Sequence, residues 1–160
     1  MTLDEIEGFT IQGEGGDYLK FEFEEVYGFP NSVGPWGGYD VRASLNIKAE
    51  GFCVSSSFYT STGEFFNLYQ QLIICNEQVS GSVQFASCED NLKFTAYYDV
   101  SGHITIKGTF WKINQCENEL HFEIMSDQTY ITELVSQMRP LVNKYGGIEG
   151  VEKLDVDPVE

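Results

Sequence analysis

Leu92-Lys-Phe-Thr-Ala-Tyr-Tyr98, His103-Ile-Thr-Ile-Lys-Gly-Thr-Phe-Trp-Lys-Ile113 and Leu120-His-Phe-Glu-Ile-Met125 are the runs that decide the fold. All three are rich in the β-branched and aromatic residues that suit a pleated, half-buried surface. The joints between them, Asp99-Val-Ser-Gly102 and Asn114-Gln-Cys-Glu-Asn118, are short and polar. Short joints make sequential strands antiparallel neighbours. Upstream the same two-residue rhythm recurs. In Tyr18–Tyr27, Leu19, Phe21 and Phe23 alternate with Lys20, Glu22 and Glu24. In Tyr39–Ala49, Val41, Leu45 and Ile47 alternate with Arg42, Ser44, Asn46 and Lys48. Each strand therefore carries one apolar and one wet face. Phe52–Tyr59 continues after the turn Glu50-Gly51, and short strands are expected at Phe9–Gln12 and Val83–Ala86.

Two segments switch to a helical period. Phe65, Leu68, Tyr69 and Leu72 follow Ser61-Thr-Gly-Glu64, which has the S-x-x-E form of a capping box. Ile131, Leu134, Val135 and Met138 follow Asp127, a good N-cap residue; Pro140 should end or kink that helix, and Gly146-Gly147 should close any helix beyond it. The expected fold class is α+β: an antiparallel, strongly twisted sheet of about 7–8 strands with two helices packed on its apolar face. Residues 1–147 are expected to form a single domain and residues 148–160 an acidic C-terminal tail.

The formal net charge is −16, a balance that repels nucleic acid and anionic membrane. Residues 1–41 hold nine acids against one base and residues 117–160 ten against three, while residues 42–116 are nearly neutral. Since chain ends often lie close together, the two acidic ends are expected to pool into one surface. An acidic N-terminus without an apolar stretch, and four scattered cysteines read as small buried hydrophobes, point to a cytoplasmic protein.

Catalytic chemistry finds no footing. His121-Phe-Glu123 lacks the P-C-x-x-C that completes a zinc deaminase site, and His103 has no triad spacing around it. Glu22 and Glu24 lie on one face of one strand, a poor source for carboxylates that must flank a sugar. Gly13-Glu-Gly-Gly16 is no phosphate cradle and Asp155-Val-Asp157 no calcium loop. The reading is a non-enzyme with no metal and no cofactor. The segment Phe29-Pro-Asn-Ser-Val-Gly-Pro-Trp-Gly-Gly38 stands apart. Its Trp36 is either a lid folded back on the core or a presented aromatic anchor of the type that dominates binding hot spots. Glu22, Glu24, Glu25, Trp36 and Asp40 are the candidate partner-binding residues, chosen from charge density and loop composition.

Gly38-Tyr-Asp-Val41 opening a long strand, the helix after Gly63-Glu-Phe-Phe66, Gly102-His-Ile-Thr-Ile-Lys-Gly108, Leu120-His-Phe-Glu-Ile124 and Asp127-Gln-Thr-Tyr130 recur in a set order. That order resembles the WapI-type bacterial immunity proteins, over about Gly38 to Met138. The resemblance implies a small domain that binds and silences the toxic C-terminal domain of a contact-dependent, wall-associated toxin, a tRNA-cleaving nuclease in the namesake case. An acidic inhibitor suits such a partner, because a nuclease presents a basic surface to its substrate. The alternative reading is a non-catalytic acidic adaptor or assembly module whose charge serves solubility.

Overall fold

The computed structural model describes residues 6–113 and 115–151. In chain order the elements are β1 (Gly8–Gln12), a 3-10 turn (Glu14–Gly16), β2 (Tyr18–Val26), β3 (Asp40–Ala49), β4 (Phe52–Ser61), α1 (Thr62–Gln78), β5 (Ser82–Ala86), β6 (Leu92–Tyr98), β7 (His103–Ile113), β8 (Glu117–Asp127) and α2 (Gln128–Tyr145). The expected mixture of antiparallel strands and packed helices is the one observed. The eight strands are shared between two four-stranded sheets, in the orders β1-β2-β3-β4 and β5-β6-β7-β8, instead of forming one.

Side chains meet the outer edges of both sheets. Gln71 of α1 receives the N–H of Gln84 at 2.9 Å and donates to its carbonyl at 3.0 Å, so it occupies the outer edge of β5 as a strand would. On the outer edge of β4, Lys112 donates to the Ser57 carbonyl at 2.9 Å and the Cys88 thiol to the Tyr59 carbonyl at 3.4 Å. The Thr10 N–H of β1 donates to Gln137 of α2 at 2.8 Å. These side chains interrupt three outer edges at the positions where a further strand would pair.

One contiguous core joins the two sheets and both helices. Its keystone is Phe65 on the first turn of α1. The ring lies 5.0 Å from Phe9, 5.6 Å from Phe21 and Phe23, and 5.5 Å from Phe85, which stacks in turn on Phe94. One helical residue therefore holds β1 and β2 against β5 and β6.

The helix ends obey the sequence signals. Ser61 accepts from the Glu64 N–H at 3.1 Å, and the Glu64 carboxylate accepts from the Ser61 backbone in return. Asp127 accepts from the N–H groups of Thr129 and Tyr130. Pro140 does not end α2, which runs on to Tyr145 and is closed by Gly146. The cysteines depart from expectation, for only Cys75 is buried, Cys88 is half-buried, and Cys53 and Cys116 are exposed. Cys53 pairs across from Lys48, so strand parity sends it to the wet face. Residues 152–160, most of the expected acidic tail, lie outside the described residues.

Candidate protein-binding surface

The connection from β2 to β3 spans residues 27–39, far longer than the ~2–5 residues an antiparallel hairpin needs. It is nonetheless tightly built. The Tyr27 N–H donates to the Asp40 carbonyl at 2.9 Å across its base, and Ser32 and Asn31 donate back to Gly28. Tyr39, 1% exposed, donates its hydroxyl to the Pro30 carbonyl and accepts the Val151 N–H, each at 2.9 Å. Phe29 stands edge-on to Tyr39 and Tyr145, at 5.2 and 4.9 Å.

The loop's far side docks on the start of α1. The Gly63 N–H donates to the Gly37 carbonyl at 3.1 Å and the Ser61 hydroxyl to the Trp36 carbonyl at 3.5 Å. This approach requires glycine. At Gly38, φ is +63° and a Cβ would fall 2.2 Å from Thr62 Oγ1. The Gly38 N–H also donates to the Ile148 carbonyl at 2.6 Å, tying the loop to the segment after α2. Trp36 is thus not folded back as a lid on the core. The residue is 55% exposed, and Val33 in the same loop and Ile148, which lies against Gly37, are 48% and 49% exposed.

Strand parity assembles the rest of the surface. Glu22 pairs with Ser44 and Glu24 follows it by parity, while a bulge between Phe23 and Glu25 brings Glu25 to the same outer face of the first sheet, opposite Arg42. Asp40, two residues before Arg42, shares that face at the end that the Trp36 loop covers. All five predicted residues therefore border one surface, along with exposed Tyr27 and Tyr59.

Its charge is distributed less simply than the sequence suggested. Glu22 pairs with Lys20 at 3.4 Å; Glu24 and Glu25 share Arg42 at 2.9 and 4.0 Å, and Ser57 also donates to Glu24. These acids are partly neutralised from within. Around the Trp36 loop the balance differs, because Asp40, Glu64 and Glu89 form no ion pair among the described residues. The Asp40 carboxylate lies against Gly34, with Oδ1 buried and without a hydrogen-bond partner. Burial pushes the Glu64 carboxyl up, opposed by hydrogen bonds from Thr60, Cys88 and Ser61, and Asp40 adds repulsion. The Cys88 thiol is pushed up to about 11, first by burial and then by Glu64, Glu89 and Asp40. Asp40, Glu64 and Glu89, with no base among them, thus all act on the Cys88 thiol.

The model of the immunity protein WapI-like family matches residues 10–146, from within β1 to the C-cap of α2. The chain belongs to that family. The match takes in the Trp36 loop and β2, which the motif resemblance had left out. Neither the curated proteins nor the solved structures contain a match.

For a WapI-like immunity protein the implied partner is a toxin, so surfaces matter more than pockets. Among the described residues no group of three or more His, Cys, Asp and Glu side chains is placed to hold a metal ion, and no helix is long and apolar enough to cross a membrane. Sequence reasoning missed Glu64 and Glu89. They lie in the nearly neutral middle of the chain, and the only local signal at Glu64 was its place in the capping box. The expected pooling of acids from both ends holds only in part among the described residues, and Asp4, Glu5, Glu152, Asp155, Asp157 and Glu160 lie outside them. Glu117, Glu119 and Glu123 sit on the outer face of the second sheet, while Glu7 is taken up by Lys144 at 2.6 Å and the Tyr145 hydroxyl at 2.5 Å. The ends meet twice: as the Glu7–Lys144 ion pair, and where Glu14 and Asp17 line one groove with Glu123.

Proposed function

We propose that this WapI-like immunity protein neutralises a cognate bacterial toxin by forming a stoichiometric complex with its C-terminal domain in the cytoplasm, with no chemistry of its own. The observation that carries the reading is the rigid Trp36 loop at one end of an open sheet face, within a chain of an immunity family. Trp36, backed by Val33 and Ile148, serves as the apolar anchor; Asp40, Glu22, Glu24 and Glu25 surround it with charge. Anchors of this type dominate binding energy when their backbone is fixed beforehand. The acids favour a basic partner, such as the substrate-binding surface of a nuclease that cleaves tRNA, reached by contact-dependent delivery.

The test is co-expression. Cells producing the C-terminal domain of the toxin encoded beside this protein should survive when the chain is supplied, and the two purified proteins should elute together at equal stoichiometry. Trp36→Ala should weaken the complex at least tenfold. Raising salt should slow association, since steering between opposite charges is screened. Absence of both rescue and complex refutes the reading.

A further inference from the structure

Sheet edges show a second feature that the loop surface does not explain. Three of the four edges are interrupted by side chains: β1 at Thr10 by Gln137, β4 at Ser57 and Tyr59 by Lys112 and Cys88, and β5 at Gln84 by Gln71. The fourth is β8, which pairs with β7 over Glu117–Asp127. At its C-terminal end the Ser126 hydroxyl donates to the Gln12 carbonyl at 2.7 Å, and the Met125 carbonyl and Ile124 side chain lie against Gly13. From Glu117 to Glu123, no hydrogen bond from outside the β7–β8 ladder reaches the backbone among the described residues. An unpaired edge of that length is a template for another strand, and proteins ordinarily cover one.

The charges along this edge select what can pair with it. Glu117, Glu119, His121 and Glu123 alternate on its exposed outer face. Among the described residues the exposed His121 imidazole lies 3.3 Å from Glu119, and Lys107 of β7 stands across from Glu123 without reaching ion-pair distance. Beyond Glu123 the edge opens on a groove where the two sheets meet, lined by Glu14, Asp17, Glu50 and Lys48, with Lys48 already held by Asp17 at 3.8 Å. A second copy of the chain is a poor occupant. Antiparallel self-pairing centred on His121 would set Glu119 directly opposite Glu123, twice, and like charges opposite one another destabilise a sheet.

We propose that the free edge of β8 accepts an extended segment bearing alternate lysine or arginine residues from a protein partner, adding a fifth strand to the second sheet. Main-chain hydrogen bonds would hold the segment, and cross-strand pairs with Glu119 and Glu123 would set its register and sign. The inference rests on the neutralisation reading only for naming the toxin domain as the owner of that segment.

A nine-residue peptide alternating lysine with threonine, and its glutamate counterpart, test the edge without the toxin. The lysine peptide should slow amide hydrogen exchange within residues 117–123 and leave β1, β4 and β5 unchanged. It should bind at least tenfold more tightly than the glutamate peptide. The exposed pair Glu119→Lys with Glu123→Lys should reverse that preference. Equal binding of the two peptides, protection confined to another edge, or no protection at millimolar peptide overturns the proposal. Failure of toxin rescue would leave the peptide result standing, which separates the two readings. With the toxin domain in hand, protection of β8 in the complex is expected, and its absence there removes the toxin as the source of the strand.

Discussion

Replacing Phe65 by alanine should cost more than any other single truncation in the chain. The side chain is 4% exposed and touches four rings drawn from β1, β2 and β5. Truncating a buried phenylalanine costs roughly 3–5 kcal/mol, the upper part of the range applying where the site cannot collapse. Collapse is blocked here. The facing rings belong to strands held in register by their own ladders, and a void of about 10 Å³ already lies between Phe65, Phe9 and Met138. Aromatic pairs of this geometry add ~0.5–1.5 kcal/mol each beyond area burial, so about 5 kcal/mol is expected in all. Domains of this kind are stable by only ~5–15 kcal/mol, so the loss is a large share of the total. With a urea dependence of about 2 kcal/mol per molar, the unfolding midpoint should fall by about 2.5 M while the slope holds. Phe52→Ala, at a residue 67% exposed, should move it by less than about 0.3 M. A shift below about 0.5 M for Phe65→Ala, with the slope unchanged, would show that the two sheets do not lean on this ring.

Other consequences can be checked on the same purified protein. Burial, then the hydrogen bond to Glu7, raises the Tyr145 hydroxyl pKa, and burial raises that of Tyr98. Their contribution should be fully present below the unfolded value of about 10 and lost as pH rises beyond it; Tyr145→Phe should flatten the fall in midpoint between about pH 9 and 11. Asp127→Ala removes the acceptor for the N–H groups of Thr129 and Tyr130 and should cost about 1 kcal/mol, read as a urea midpoint shift. Gly38→Ala forces a Cβ against Thr62 at positive φ. It should cost ~1–3 kcal/mol and release the loop, seen as faster amide exchange at Gly37 and Gly38.

Much of the architecture was legible in the sequence because its signals are local. Alternation in Asp40–Ala49 matches a burial pattern that alternates without a break, and Ser61 and Asp127 cap their helices as their positions foretold. The surface was only half legible. Parity carried Glu22, Glu24 and Asp40 to one face, yet nothing announces the bulge that turns Glu25 the same way, or Arg42, 18 residues away, as the partner of Glu24. Nor does the sequence around Asp40 announce that it will act on Cys88, 48 residues away. Pro140 misled because a proline late in a helix costs one hydrogen bond and some crowding, which Tyr145 packed at the core's edge outweighs.

By itself the sequence determined which segments extend, which coil, where the coils begin and which side of each is apolar. These features arise from hydrophobic period and capping chemistry, which act over a few residues. Tertiary structure alone decided that the strands split into two sheets, that Trp36 faces outward, which carboxylates go uncompensated and which edge stays open. Each of those outcomes depends on a contact between residues far apart in the chain. Gln71 at Gln84, Arg42 at Glu24 and Gly63 at Gly37 meet only because the whole core has closed around Phe65.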